Sequence, residues 1–257
     1  MKTKNTKIKN ILKQETIAHH LNFSQPQKTN CSFFKFNKKA FTLAEVLVTL
    51  TIIGVVAAIT VPTVSHNATK HATINTLKTT YSILSQAIQS AQRENGNISE
   101  WLFDNELGTK EGAIIVAENL KPFFKISVDC KTKDEKNECV KKDPYLRLNG
   151  NAHDIDYASN ELYYKLRLNN GTSVWWRTSL GVEIASGDYL YFFVDTNGIA
   201  KPNKWGRDLF MFTYNNEKLI PAGSPNGYYN YERECIAKNS TGIGCAYYVL
   251  TTGKMDY

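Results

Sequence analysis

Lys38-Lys39-Ala40-Phe41-Thr42-Leu43-Ala44-Glu45-Val46-Leu47-Val48-Thr49-Leu50 opens an apolar run that continues through Thr51-Ile52-Ile53-Gly54-Val55-Val56-Ala57-Ala58-Ile59-Thr60-Val61 and stops at Pro62. Between Phe41 and Val61 the one formal charge is Glu45. Roughly 20 apolar residues suffice for a helix to cross a bilayer, so this run is long enough. A charge in hydrocarbon costs about 2.5–3.5 kcal/mol on insertion scales, and residues that costly mark functional positions.

Helical periodicity does not end with the apolar run. Ile74, Leu77, Tyr81, Leu84, Ile88 and Ala91 recur at helical spacing and form one face, with Asn75, Lys78, Ser82, Ser85, Gln89 and Gln92 on another. Asn95-Gly96 carries a C-cap signal. One helix from Phe41 to about Asn95 would be ~80 Å long at 1.5 Å per residue. Its first half is apolar all round and its second half amphipathic. Pro62 should loosen or kink it.

The formal net charge of +7 in 257 residues suggests a nucleic-acid partner, but its location says otherwise. Residues 1–40 hold nine lysines against one acid, Glu15, which makes +8. The rest holds 22 basic and 23 acidic residues, or −1. Lysine collects on the cytoplasmic side of membrane segments, so the leader's charge is a topology signal. Removal of residues 1–40 also removes Cys31 and leaves Cys130, Cys139, Cys235 and Cys245. An even number of cysteines in an exported chain points to disulfides. Four allow three pairings; the local one, Cys130–Cys139 with Cys235–Cys245, closes two short loops and is the expected one. No C-x-x-C or H-x₃₋₅-H spacing supports zinc.

The Lys-rich leader, the small residue before Phe41, Glu45 and Pro62 together resemble the prepilin signal of type IV pilins and type II secretion pseudopilins. The resemblance is close over Phe41–Pro62 and architectural beyond it. It implies a cut by prepilin peptidase between Ala40 and Phe41, N-methylation of Phe41, and pairing of Glu45 with a neighbouring subunit's N-terminal ammonium during assembly. The family usually carries Gly before the cut, where this chain has Ala40, and many of its leaders are shorter. A conventional signal peptide has a shorter apolar core. A plain membrane anchor explains the run but not the amphipathic continuation.

The expected organisation is a removed leader at 1–40, a transmembrane and assembly helix at 41–62, and an amphipathic helix of the head at 63–96. A connecting region with a short helix follows at 97–160, and an antiparallel sheet with a disulfide-tied tail at 161–257. The expected fold class is α+β, with the long N-terminal helix packed on a C-terminal antiparallel β-meander, as in pilins. Within the connecting region, Lys110–Phe124 reads as a helix with Ile114, Ile115, Ala117 and Leu120 inward, stopped by Pro122. The charged stretch Lys131–Lys142 reads as a solvated loop. Strands are expected at Leu162–Leu168, Thr172–Thr178, Tyr189–Val194, Leu209–Tyr214 and Lys218–Ile220. Asn169-Asn170-Gly171 forms a hairpin turn, and a last strand is expected at Tyr247–Leu250.

One loop could hold a hard cation. Calcium takes six to eight oxygens, and Asp195, Asn197, Asn203 and Asp208 could contribute around Gly198. The spacing is not that of an EF-hand, and the competing reading is a turn at Asn197-Gly198 with Asp208 capping the backbone. Some pseudopilins hold calcium in a loop of the C-terminal sheet, so the resemblance keeps calcium as the alternative, while the turn is the expected reading. His153-Asp154-Ile155-Asp156 reads as a solvent loop. Trp175, Trp176, Tyr163, Tyr164, Tyr189, Tyr191, Phe192 and Phe193 read as core at alternating positions, with a displayed aromatic strip as the sharper alternative. Tyr228-Tyr229 in the tail loop are candidates for partner contact. No catalytic signature is present among the motifs that carry one, and an enzyme is not expected.

The expected function is a structural subunit of a type IV pilus or type II secretion pseudopilus. The alternative is a membrane-anchored or filament-tip binding protein, an adhesin or DNA-uptake pilin. Expected partners are the cytoplasmic membrane, prepilin peptidase and other pilin or pseudopilin subunits. Nucleic acid is expected only for a DNA-uptake pilin. Expected localisation is single-pass in the bacterial cytoplasmic membrane with the head outside the cytoplasm, then a periplasmic or surface filament.

Overall fold

The computed structural model describes residues 40–179, 188–215, 217–225, 227 and 229–257. Residues 1–39, expected to be a leader, Tyr228 and the side chain of Tyr189 lie outside these residues. The chain divides after Thr51 into two units, and the second, Ile52–Tyr257, contains the sheet.

Helix α1 runs from Leu43 to Asn95 and continues through Pro62. A proline removes one intrahelical bond, and the rest of this helix tolerates that loss. Thr60 and Thr63 back-bond to the carbonyls of Val56 and Ile59 on either side. From Ile52 to Val64 the large apolar side chains are 54–69% exposed. Further along, Ile74, Leu77, Thr80, Leu84, Ala87, Ile88 and Ala91 are buried. This is the expected face with small residues added beside it. Tyr81 is only half-buried; its ring stacks on Phe212 at 5.5 Å and its hydroxyl donates to the Leu219 carbonyl at 3.2 Å. The helix ends at Asn95, and Gly96 follows at φ +80°, a left-handed position that glycine occupies without strain.

A single turn, α2 (Ile98–Trp101), leads to α3 (Lys110–Leu120). Thr109 caps α3 by accepting the Gly112 N–H, and Pro122 sits in the 3₁₀ turn that ends it. The inward face of α3 differs from the expected one. Gly112, Ala113, Val116, Ala117 and Leu120 are buried, whereas Ile114 and Ile115 are half-buried. The reason is close approach to the sheet: the Trp176 indole N–H donates to the Ala113 carbonyl at 3.1 Å. The approach is tightest at Gly112 and Ala113, where a larger side chain would collide, while Val116 and Leu120 are buried further along.

Among the described residues six strands follow in sequential antiparallel order: β1 (Ile126–Lys131), β2 (Tyr164–Leu168), β3 (Ser173–Thr178), β4 (Asp188–Asp195), β5 (Leu209–Asn215) and β6 (Lys218–Pro221). The α+β architecture is therefore the expected one, with β1 as an additional edge strand. The β2–β3 turn closes at Gly171, at φ +85°. Alternate residues separate two cores. Leu166, Val174, Trp176, Phe192, Val194, Phe210 and Phe212 pack with α1 and α3. Trp175, Tyr191, Phe193, Leu209 and Met211 pack on the other face against Tyr145, Tyr157 and Trp205. The second core explains why every residue of β5 is buried, since a strand covered on both faces reads as a continuous apolar run. Cross-strand stacking aligns the register: Tyr164 on Trp176 at 5.3 Å and Trp175 on Phe193 at 5.8 Å.

Two expectations are corrected, one on each core. Lys131–Lys142 is not simply a solvated loop, because Thr132, Asp134, Cys139 and Val140 are buried. The Asp134 carboxylate accepts the backbone N–H groups of Glu138, Cys139 and Val140 at 2.8–3.0 Å and folds the loop over itself. The expected last strand at Tyr247–Leu250 is a helix, α4 (Cys245–Thr252). Cys245, Ala246 and Val249 are its buried side, and Gly253 at φ +67° caps its end.

Two disulfides hold the irregular segments. Cys130–Cys139 ties the end of β1 to the charged loop, and Cys235–Cys245 ties the π-helical turn Glu232–Ile236 to α4.

Candidate functional site

Ala40 and Phe41 lie ahead of the first helical residue in non-helical, exposed backbone, and Phe41 is 84% exposed. Thr42 then starts the helix. Its backbone N–H and its hydroxyl both donate to Glu45 Oε2, at 2.8 and 2.9 Å. The Glu45 N–H donates back to Thr42 Oγ1 at 3.2 Å. This is a reciprocal capping box, which satisfies two N–H groups that a helix start leaves orphaned. Its T-x-x-E signature stands in the sequence at Thr42–Glu45; the reading that focused on Glu45 alone missed Thr42. Among the described residues Glu45 Oε1 has no hydrogen-bond partner. The carboxylate is thus held by one oxygen and open at the other. Local bonds of this kind offset part of the cost of a charge in an apolar run.

The second candidate is the Asp195–Asp208 loop between β4 and β5. Asp195, Asn203 and Asp208 are all buried, and Asn197 is exposed. Asp195 Oδ2 accepts the Tyr145 hydroxyl at 2.7 Å and Oδ1 accepts the Asn197 N–H at 3.2 Å. Asp208 accepts the N–H groups of Asn203 and Lys204 through its two oxygens. The Asn197 amide nitrogen donates to the Lys201 carbonyl at 3.0 Å. Burial pushes the Asp195 carboxyl well above the usual carboxylate range, and the nearby Asp208 charge pushes it further. Asp208 is raised by burial, against the backbone N–H groups that lower it. Both shifts describe buried negative charge short of a counter-charge. Among the described residues Asn203 Oδ1 is buried without a hydrogen-bond partner, so one neutral oxygen in the loop is unclaimed. Tyr145, fifty residues from Asp195, carries no sequence signal for this role.

The remaining candidates resolve differently. Tyr163, Tyr164, Trp175, Trp176, Tyr191, Phe192 and Phe193 are at most 5% exposed, so they form core and no displayed aromatic strip. His153–Asp156 is the expected loop, with Asp154 and Asp156 exposed, but His153 is turned inward. It is half-buried, stacked on Tyr157 and edge-on to Trp205, and Nε2 lies 3.1 Å from the Tyr157 hydroxyl. Burial, with Arg147 nearby, holds its pKa below the ordinary value. Asp156 accepts the N–H groups of Ala158 and Ser159 as a turn cap. Cys130, Asp134 and Cys139 bring ligand-type atoms within 4.8 Å of one another. The two sulfurs are bonded to each other, however, and offer no thiolate. Tyr229 packs beside the second core.

Two family models match the chain. One, described as a family of unknown function (DUF6613), covers residues 63–235, more than half of the sequence. The other, the prokaryotic N-terminal methylation motif, covers residues 35–61. No curated protein and no solved structure matches.

Proposed function

The chain belongs to the DUF6613 family of unknown function and carries a prepilin-type N-terminal methylation motif, and from this premise we propose that it is a pilin-like subunit of a type IV pilus or type II secretion pseudopilus. Prepilin peptidase removes residues 1–40, Phe41 is methylated, and residues 41–62 hold the subunit in the cytoplasmic membrane with its head outside. The observation that carries this reading is Glu45. It sits in a capping box at the head of a helix long and apolar enough to cross a membrane, with one carboxylate oxygen open. A free Phe41 ammonium on an adjacent subunit would fill that vacancy. The large apolar side chains from Ile52 to Val64, exposed in the single chain, would then be covered by lipid before assembly and by neighbouring helices after it. The role is structural. Peptidase-dependent loss of residues 1–40 tests it.

The same reading places a calcium ion in the Asp195–Asp208 loop. Asp195, Asp208 and the unclaimed Asn203 Oδ1 would hold it, with backbone carbonyls or water supplying the remaining oxygens. The ion would neutralise two buried carboxylates. A ligand at a hundredfold excess over its Kd stabilises the folded state by about 2.7 kcal/mol, or about 5–10 °C in a chain of this size. Millimolar calcium is therefore expected to raise the Tm of the purified protein by that amount, and Asp208→Asn is expected to abolish the rise. A Tm indifferent to calcium and chelator would mean that the loop is closed by its own hydrogen bonds.

A further inference from the structure

A pocket of about 170 Å³ lies where α1 meets the Asp195–Asp208 loop, lined among others by His66 and Lys70 from the helix and by Lys201, Pro202 and Arg207 from the loop. Its charge stands out against a mature chain that is nearly neutral. Among the described residues no carboxylate lies within ion-pair distance of Lys70 or Lys201. Two acids are close but mostly engaged by other groups: Asp208, in the pocket lining, accepts the loop's backbone N–H groups, and Asp256, which feels the Lys70 charge, accepts the Tyr248 hydroxyl at 2.7 Å. The Arg207 guanidinium lies over the Tyr257 ring at 4.9 Å and donates one N–H to the Tyr257 carbonyl. It has five N–H groups in all.

The position of this pocket along the helix identifies its partner. Val64, 67% exposed, is the last large apolar side chain of the exposed stretch. His66 and Lys70 follow at ~3 and ~9 Å along the axis, at 1.5 Å per residue. The headgroup zone is roughly 5–7 Å deep on each side of the hydrocarbon. A subunit with its Ile52–Val64 stretch in lipid therefore brings His66 to headgroup level and Lys70 to its outer edge, within reach of a flexible lysine stem. We propose that His66, Lys70, Lys201 and Arg207 dock the membrane-resident subunit on the phosphates of anionic phospholipids. Lysines supply point charges and arginine supplies a fork that matches phosphate oxygens. The contact would fix the head at the membrane surface before assembly and be given up when the helix leaves the bilayer. This inference rests on the membrane insertion proposed above.

The test uses the full chain in nanodiscs of phosphatidylcholine alone or of phosphatidylcholine with phosphatidylglycerol. Lipid that stays on the protein after release is counted by native mass spectrometry. Incorporation into both discs is expected, with phosphatidylglycerol enriched on the protein above the disc ratio. A basic side chain at an anionic surface is worth about fivefold, so the double variant Lys70→Gln/Lys201→Gln should lose about 25-fold in relative retention. Lys136→Gln, which removes a charge from the distant charged loop, should retain the enrichment. Bulk lipid ratios on the wild-type protein would overturn the proposal. So would undiminished enrichment on the double variant, or equal loss with Lys136→Gln. Failure to enter either disc would instead overturn the membrane reading beneath it.

Discussion

Glu45→Ala is expected to leave cleavage intact and to cut filament incorporation by about a hundredfold. The argument is energetic. Glu45 is the one formal charge between Phe41 and Val61, and a charge there costs about 2.5–3.5 kcal/mol. On the proposed assembly, an ammonium from an adjacent subunit would recover that cost only in the assembled pair. At 1.4 kcal/mol per tenfold, the recovered energy corresponds to about two decades of preference for the correctly placed neighbour. Alanine makes the helix cheaper to insert but indifferent to its neighbour. It also removes the capping box with Thr42, worth about 1 kcal/mol, so a second variant is needed. Glu45→Gln can still cap, since Gln serves at this position, but it carries no charge. If charge pairing drives assembly, both variants fail to incorporate while peptidase still shortens them. Wild-type incorporation of Glu45→Gln would assign the residue to capping alone, and normal incorporation of Glu45→Ala would remove it from assembly altogether.

Lys165→Met is expected to destabilise the head by about 3–5 kcal/mol, the range for removing one partner from a buried charged contact. Lys165 on β2 is fully buried, and its ammonium donates to the carbonyls of Thr132, Asn160 and Tyr163 at 2.6–2.9 Å. Those three bonds use all three of its protons. They join the sheet to the charged loop and to the turn before β2, and so hold the cover of the second core in place. Methionine fills similar volume but leaves the carbonyls without their donor, and each buried unsatisfied group costs about 1–3 kcal/mol. Denaturant melts of the purified protein measure the loss; a cost under about 1 kcal/mol would mean that the carbonyls find water.

The pH dependence adds a second readout with a defined sign. Burial lowers the Lys165 ammonium from 10.5 to about 8. Between those values the unfolded chain binds the proton more tightly than the folded one, so the Lys165 contribution to stability rises with pH. The slope is at most about 1.4 kcal/mol per pH unit. The buried tyrosines shift the opposite way, since burial raises Tyr145, Tyr157 and Tyr257. They begin to lower stability near pH 10, where unfolded tyrosine ionises. The gap between wild type and Lys165→Met should therefore widen from about pH 8 to 9.5.

The parts of this fold that were legible in the sequence are those with long periodicity. The seam from Ile74 to Ala91 and the runs at Leu209–Tyr214 and Tyr189–Val194 reach the expected elements because hydrophobic spacing alone determines them. β1 was not legible. Its six residues at the sheet edge alternate between half-buried and exposed, without an apolar run. The tail helix at Cys245–Thr252 imitates a strand, since Tyr247, Tyr248, Val249 and Leu250 favour β structure locally. The Cys235–Cys245 bridge and the Gly253 cap favour the helix. The charged loop looks solvated because five of its residues are lysine. Its burial depends on Asp134 folding it back and on Lys165 reaching up from β2. At the N-terminus Glu45 is evident from charge alone, whereas Thr42 goes unnoticed although its T-x-x-E spacing to Glu45 marks a capping box. The Tyr145–Asp195 contact depends on how the sheet is covered, which no local pattern encodes.

Intact-mass and N-terminal analysis of the membrane-extracted protein tests the central claim most directly. The account predicts a chain that begins at N-methylated Phe41, and only in cells that contain a prepilin peptidase. A chain that keeps residues 1–40 in such cells would contradict it and leave an anchored domain in place of a filament subunit.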